Sequence, residues 1–200
     1  MTALSDLLRQ LRACTACAAD LPLPPRPVLQ AHGSARLLLA SQAPGRKVHA
    51  SGIPFDDASG ERLRSWLGLS SATFYDARKV AIVPMAFCFP GTGTAGDLPP
   101  PPLCARLWRA RVLALLPRIE LTIVIGRHAL AWHGDDPRRT TLSAAVHRWR
   151  ERDPRLVVLP HPSPRNNRWL MRNPWFEAEV LPVVRSRVAA VLAAAPHEAR

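Results

Sequence analysis

Four short apolar segments divide the chain, and each has the pattern of a buried strand. They are residues 35–40, 80–83, 121–125 and 156–159, which are rich in leucine and β-branched residues. A strand that is covered on both faces has this continuous apolar character, because neither face meets water. The pattern therefore predicts a parallel sheet of four strands.

Helical spacing of apolar residues separates these strands. The first helix has leucines at positions 4, 7, 8 and 11, and further helices are predicted over residues 61–67, 104–116 and 174–195. Pro182 is expected to kink or split the last helix. Strands that alternate with helices predict an α/β fold, a three-layer α/β/α sandwich with a central, mainly parallel four-stranded sheet. There is no repeat and no linker, so we expect a single domain over residues 1–200.

The composition is that of a globular chain and argues against three other classes of protein. The chain has 200 residues, of which 48% are hydrophobic, and its longest apolar runs, such as residues 188–195, are too short to cross a bilayer. Residues 1–12 lack the basic start and continuous apolar run of a signal peptide. We therefore expect neither a membrane protein, nor a secreted one, nor a disordered one, and we expect it in the cytoplasm.

The charge balance favours a polyanionic partner. The chain has 27 basic and 15 acidic residues, a formal net charge of +12, and its only lysines are Lys47 and Lys79. Arginine binds phosphate with two hydrogen bonds, and neutralised phosphates release counterions. We therefore expect a nucleic acid as the partner. The alternative is that the arginine content reflects genome composition and solubility.

Residues typical of a binding site follow each predicted strand. The segments are residues 41–45 (SQAPG), 84–91 (PMAFCFPG), 126–128 (GRH) and 160–164 (PHPSP). In open α/β sheets, ligands bind beyond the carboxyl ends of the strands. We therefore expect these four loops to meet at one edge of the sheet and to form the site.

The four cysteines form a pattern of their own. Cys14, Cys17, Cys88 and Cys104 are spaced as C-x2-C, a long gap, and then C-x15-C. In a chain without a secretory signal, such a set indicates metal ligands rather than disulfides. Four thiolates suit either an iron–sulfur cubane or zinc, and the spacing alone leaves both open.

Several of these motifs together resemble the uracil-DNA glycosylase superfamily. Residues 41–45 (SQAPG), 52–55 (GIPF) and 58–60 (ASG) are similar to its first motif, residues 161–163 (HPS) to its second, and residues 165–174 (RNNRWLMRNP) to the segment that follows. Their order is most similar to that of the iron–sulfur branch. The resemblance implies a base-excision-repair glycosylase that hydrolyses the N-glycosidic bond of uracil or another deaminated base in DNA. It also implies a [4Fe–4S] cluster on the four cysteines in preference to zinc. We also expect a monomer that binds single- or double-stranded DNA at the nucleoid.

The resemblance assigns roles to individual residues. Phe55 matches the aromatic residue that stacks on the extruded base, with Pro44 and Gly45 beside it. His161 matches the residue that stabilises negative charge on the departing base. Gln42 holds the position of the residue that orients water. Expected DNA contacts, with one candidate wedge between bases, are Arg46, Lys47, Ser163, Arg165, Arg168 and Trp169.

One departure from the branch concerns the catalytic acid. The branch usually has an acidic residue at position 42, where its charge favours the sugar cation. Gln42 can orient water, but it has no negative charge and cannot accept a proton as a carboxylate does. Asp56 and Asp57 could replace that carboxylate, or they could serve as a helix cap.

A second departure concerns base recognition. The branch reads uracil with an asparagine on the second strand, where this chain has Val83, Pro84 and Met85. Two alternatives to an active glycosylase therefore stay open. One is a catalytically disarmed relative that binds damaged, abasic or single-stranded DNA. The other is an α/β protein whose site takes a small nucleotide or nucleoside.

Overall fold

Four parallel strands form the centre of the molecule in a computed structural model that describes residues 2–94, 96–134 and 139–193. Counting a separate hairpin, the described residues form six strands. In chain order they are β1 (Leu37–Ala40), β2 (Val80–Ile82), β3 (Thr92–Gly93), β4 (Gly96–Asp97), β5 (Leu121–Ile125) and β6 (Leu156–Leu159). The sheet has the order β2-β1-β5-β6, whereas β3 and β4 form a separate antiparallel hairpin. The predicted four-stranded parallel sheet is confirmed, and the hairpin is an addition to it.

The helices surround this sheet. In chain order they are α1 (Ala3–Arg12), α2 (Arg46–Ser51), α3 (Ala58–Leu67), α4 (Ser71–Phe74), α5 (Pro102–Cys104), α6 (Ala110–Ala114), α7 (Arg127–Trp132), α8 (Leu142–His147), α9 (Asn167–Arg172) and α10 (Leu181–Ala193). π-Helical turns precede two of them, at Ala105–Arg109 and Phe176–Val180. No helix in the described ranges is long and apolar enough to cross a membrane.

Each face of the sheet has its own core. Side chains alternate along a strand, so neighbouring residues face opposite sides. Leu37 and Leu39 belong to a buried cluster that includes residues of α3 and α10, whereas Leu38 belongs to a second cluster with residues of α1 and α6. All three leucines are at most 3% exposed. Helices therefore cover both faces, as the three-layer prediction requires.

The predicted helices differ from the observed ones mainly at their ends. The helix expected over residues 61–67 begins at Ala58, because Asp57 caps it by accepting a hydrogen bond from the Gly60 backbone at 2.8 Å. Pro182 is the second residue of α10 and directly follows a π-helical turn. Its missing N–H therefore falls at a change of helix type, where the cost is small. The predicted end at residues 194–195 lies outside the described residues.

Backbone hydrogen bonds tie the loops at the carboxyl edge of the sheet to one another. The Met85 N–H donates to the Ser41 carbonyl at 2.8 Å, which joins the loops after β2 and β1. The Gly126 N–H donates to the Leu159 carbonyl at 3.1 Å, which joins the ends of β5 and β6. Since the strands are parallel, the segments that follow them all begin at this edge, where the functional site is expected.

Candidate active site

A cleft opens at the carboxyl edge of the sheet. The loops after β1, β2 and β6, the segment before α3 and the β3–β4 hairpin all contribute to it, and its volume is about 240 Å³. This is below the roughly 300–1,000 Å³ of pockets for drug-sized ligands, so the cleft suits a single base. The sequence-predicted residues that line it are Pro44, Gly45, Phe55, His161, Ser163 and Arg165.

His161 is held in one tautomer by its own turn. Its Nδ1 accepts a hydrogen bond from the Ser163 backbone at 3.2 Å, so the ring proton resides on Nε2. Burial lowers the pKa of His161, and the charges of Asp57 and Asp97 raise it in part. The ring is therefore neutral near pH 7 and has an Nε2–H to donate.

Phe55 combines a strained backbone with a partly buried ring. Its φ is +56°, the only positive φ of a non-glycine residue among the described residues. Its ring packs edge-on against Phe74, with the centroids 6.1 Å apart. Gly60 packs directly against the Phe55 backbone: a Cβ added to Gly60 would be only 1.8 Å from the Phe55 carbonyl oxygen. Strain of this kind persists only where the surroundings fix it, and it is frequent at binding sites.

Gln42 does not line the cleft, although Ser41 and Ala43 on either side do. Its Nε2 instead donates to the Leu98 carbonyl at 3.1 Å, just beyond the β3–β4 hairpin. The role in orienting water that the resemblance implies thus gains no support from the geometry. The carboxylates in the lining are Asp57 and Asp97, and no sequence motif points to Asp97.

The edge that would read the base has few polar groups. Pro84 lines the cleft, and it offers neither a side-chain donor nor a backbone N–H. The next two backbone N–H groups are engaged, Met85 with Ser41 and Ala86 with Gln42. Two largely buried serines in the lining, Ser41 and Ser59, are 6% and 9% exposed and bring hydroxyl groups to the cleft.

The basic residues expected to contact DNA are exposed around the cleft. Arg46 and Lys47 begin α2, and Arg165 and Arg168 follow the His161 turn. A further arginine, Arg62 of α3, has no signal in the sequence. It donates to the Ser163 carbonyl at 3.3 Å and to the Asn167 side chain at 2.8 Å, and it thereby connects α3 to the segment that follows His161.

Trp169 is engaged by the core rather than presented to solvent. Its ring lies edge-on to Trp175 and Phe176, at 6.0 and 5.6 Å between centroids, and its Nε1–H donates to Ser143 at 2.7 Å. These contacts oppose its expected use as a wedge between bases. Met171, on the same helix, is 74% exposed and is the apolar side chain that α9 presents. A DNA contact by Trp169 stays a prediction.

The loop after β5 differs from expectation. It does not line the cleft and comes near it through Gly126, since a Cβ on that glycine would lie 4.0 Å from His161 Cβ. The loops after β1, β2 and β6 therefore line the cleft as predicted, whereas the loop after β5 does not.

The four cysteines surround one small apolar pocket near the end of α1. None of them is in a disulfide. The Trp108 indole N–H donates to Cys14 Sγ at 3.2 Å, and the Phe87 backbone N–H donates to Cys104 Sγ at 3.4 Å. Such N–H donors stabilise thiolates. Within the described residues, no three His, Cys, Asp or Glu side chains come close enough to hold a single metal ion.

Burial shapes the chemistry of this cysteine pocket. It raises the pKa of Cys104 to about 12, and it also raises the pKa of Cys88, while a backbone hydrogen bond from Arg26 acts on Cys88 in the opposite direction. The Arg26 side chain donates to the carbonyls of His49 and Ala50 at 2.8 and 2.6 Å. Arg26 therefore connects the cysteine pocket to the C-terminal end of α2, the helix that starts at the cleft.

Together, these observations define an α/β protein with a parallel sheet, a cleft at its carboxyl edge and exposed basic residues around that cleft. The family model of the uracil DNA glycosylase superfamily matches residues 29–185. The chain therefore belongs to the uracil-DNA glycosylase superfamily. This membership confirms the resemblance at the level of the superfamily and supports a DNA-glycosylase-like function.

Proposed function

We propose that the protein is a DNA glycosylase that hydrolyses the N-glycosidic bond of uracil or another deaminated base. The observation that carries this proposal is the meeting of Phe55 and His161 in one base-sized cleft, with the His161 Nε2–H free to donate. Phe55 stacks on the extruded base, and neutral His161 donates a hydrogen bond to a base oxygen as negative charge develops there. Both act on a base that has left the stack.

DNA contacts in this proposal come from the exposed residues around the cleft. Arg46 and Lys47 at the start of α2, and Arg165 and Arg168 after the His161 turn, contact phosphates and set the register of the strand. Met171, rather than Trp169, is the side chain that α9 offers for insertion into the gap left by the base. The protein acts as a monomer with a single domain, on DNA at the nucleoid.

An excision assay tests the proposal directly. We expect the protein to convert a single-stranded oligonucleotide with one uracil into an abasic product that alkali cleaves, and to leave the matched thymine oligonucleotide intact. Hypoxanthine and xanthine oligonucleotides extend the test, because Pro84 gives no reason to restrict the site to uracil. A protein that binds these oligonucleotides but releases no base from any of them would contradict the proposal.

The second candidate is the disarmed DNA-binding relative, and specific observations favour it. Gln42 lies outside the cleft lining, and Pro84, which lines the cleft, has no side-chain donor or acceptor for a base. If these departures abolish turnover, the basic rim still binds DNA through phosphates, with an affinity that falls steeply as salt rises. Salt-dependent binding without product in the excision assay identifies this function. Tight binding of a mononucleotide with negligible affinity for DNA identifies the nucleotide-binding alternative instead.

We also propose that Cys14, Cys17, Cys88 and Cys104 hold a [4Fe–4S] cluster. The convergence of four thiols on one apolar pocket, with N–H donors to sulfur, supports this. In a cubane the thiolates bind separate irons, so four cysteines around one pocket can hold a cluster without meeting at a single ion. The cluster is structural, since it joins the N-terminal segment to the loops that hold Cys88 and Cys104.

Metal analysis tests this assignment. Protein purified without oxygen is expected to be brown and to contain about four irons and four labile sulfides per chain. Cys88→Ser is expected to lose both the colour and thermal stability, because metal binding contributes to folding. Thr15→Ser, between two of the cysteines, is the matched control and is expected to keep them. Colourless protein with one zinc per chain would show that the four cysteines bind zinc rather than a cluster.

A further inference from the structure

Asp97 brings a carboxylate into the cleft from the β3–β4 hairpin. It lines the same cleft as Phe55 and His161. Its Oδ2 lies 3.3 Å from the point that a Cβ on Gly45 would occupy, so the carboxylate reaches the first motif. Its charge also raises the pKa of His161 against the larger effect of burial. A carboxylate is thus present in the cleft, beside the first motif and close enough to His161 to affect its pKa.

Hydrogen bonds and a close backbone contact fix the position of the hairpin that carries Asp97. The Leu98 N–H donates to the Gly91 carbonyl at 2.8 Å, and the Thr92 hydroxyl donates to Asp97 Oδ1 at 3.4 Å. Gly96 has a φ of +128°, and a Cβ there would be 1.7 Å from an Arg165 Nη. The backbone beside Asp97 therefore packs directly against the arginine that follows the His161 turn, which joins the hairpin to the second motif.

Gln42 contacts this hairpin segment rather than the cleft. Its Nε2 donates to the carbonyl of Leu98, the residue next to Asp97, at 3.1 Å. A carboxylate at position 42 has no proton to donate at neutral pH, so it could not make this bond. The amide at position 42 is therefore suited to holding the hairpin, which is a task that the usual acidic residue could not perform.

We propose that Asp97 supplies the carboxylate that position 42 lacks, and that Gln42 is the positioning residue that holds it in place. This assignment rests on the glycosylase function proposed above. As the C1′–N1 bond breaks, its electron pair leaves with the base, and Asp97 stabilises the positive charge on the sugar. Water forms the new bond to C1′, and its proton passes to Asp97 and on to solvent. The base anion takes up one proton, which completes the balance.

Asp57 is the other carboxylate of the cleft lining among the described residues. Its Oδ1 already accepts the hydrogen bond from the Gly60 N–H at 2.8 Å as the N-cap of α3. This capping role accounts for the position of Asp57. Asp56 is exposed and does not line the cleft. Asp97 is therefore the carboxylate of the cleft that no helix requires.

Single-turnover excision of uracil tests the role of Asp97. Asp97→Asn keeps an oxygen for the Thr92 hydroxyl but removes the charge, and its rate is expected to fall about a hundredfold, in the range for a lost acid–base group. Affinity for the same oligonucleotide is expected to be unchanged or higher. Asp97→Glu keeps the charge and should retain more activity. The matched control Asp56→Asn should react like the wild type, whereas a full rate in Asp97→Asn would overturn the assignment.

A double-mutant cycle tests Gln42. Gln42→Met removes the donor at similar volume, and it is expected to lower the rate about tenfold in the wild type but less than twofold in Asp97→Asn, because its effect passes through Asp97. Gln42→Glu is expected to lose activity. Equal effects in both backgrounds, or a gain in Gln42→Glu, would overturn the positioning role alone. An inactive wild type overturns the glycosylase function, and this assignment with it.

Discussion

His161→Ala is expected to lower the single-turnover rate of uracil excision by about a hundredfold to a thousandfold, the usual cost of losing one donor to a developing anion. The Nδ1 of His161 accepts from the Ser163 N–H at 3.2 Å, so only Nε2–H is left to donate to the base. Alanine removes that donor and leaves the phosphate contacts in place. Affinity for the uracil oligonucleotide should therefore change far less than the rate.

The control for this variant is His128→Ala, in α7, because His128 does not line the cleft. It should excise uracil at the wild-type rate. The pH profile supplies a second check. Because burial lowers the pKa of His161, the active neutral form persists as the pH falls through the ordinary histidine range, and the acid limb of the rate should lie below that range. An His161→Ala protein with more than a tenth of the wild-type rate would contradict the assigned role.

Gly60→Ala is expected to destabilise the protein by about 3 kcal/mol or more, although alanine is the better helix former. An added Cβ would lie 1.8 Å from the Phe55 carbonyl oxygen and 2.7 Å from its carbonyl carbon. Backbone atoms cannot move aside as a flexible side chain can. For a chain of this size the melting temperature should fall by about 6–12 °C, measured by circular dichroism.

Gly33→Ala is the matched control, because the nearest atom to its added Cβ is the Leu115 carbonyl oxygen at 3.9 Å. It should melt within about 2 °C of the wild type. The Gly60 variant has a second expected effect, since the clash falls on Phe55, the strained residue for which we propose stacking on the base. Its excision rate should drop even where it is fully folded. Equal melting temperatures for the two variants would contradict the close contact between Gly60 and the Phe55 carbonyl group.

Much of the fold could be read from local pattern. The four strands were predicted within two residues at each end, because burial on both faces leaves a continuous apolar run in the sequence. The short helices α2, α4, α7 and α8 were not predicted. Each has at most six residues, too few for a helical period to stand out, and their ends depend on caps and on packing.

By itself, then, the sequence determined the sheet, the edge where the candidate site lies, and six residues that line its cleft: Pro44, Gly45, Phe55, His161, Ser163 and Arg165. These follow from motifs that are contiguous in the chain and from the rule that parallel strands end together. The tertiary structure alone decided which way Gln42 turns and that Asp97 enters the cleft. Gln42 and Leu98, which share a hydrogen bond, are 56 positions apart in the chain, and no local periodicity encodes such a contact.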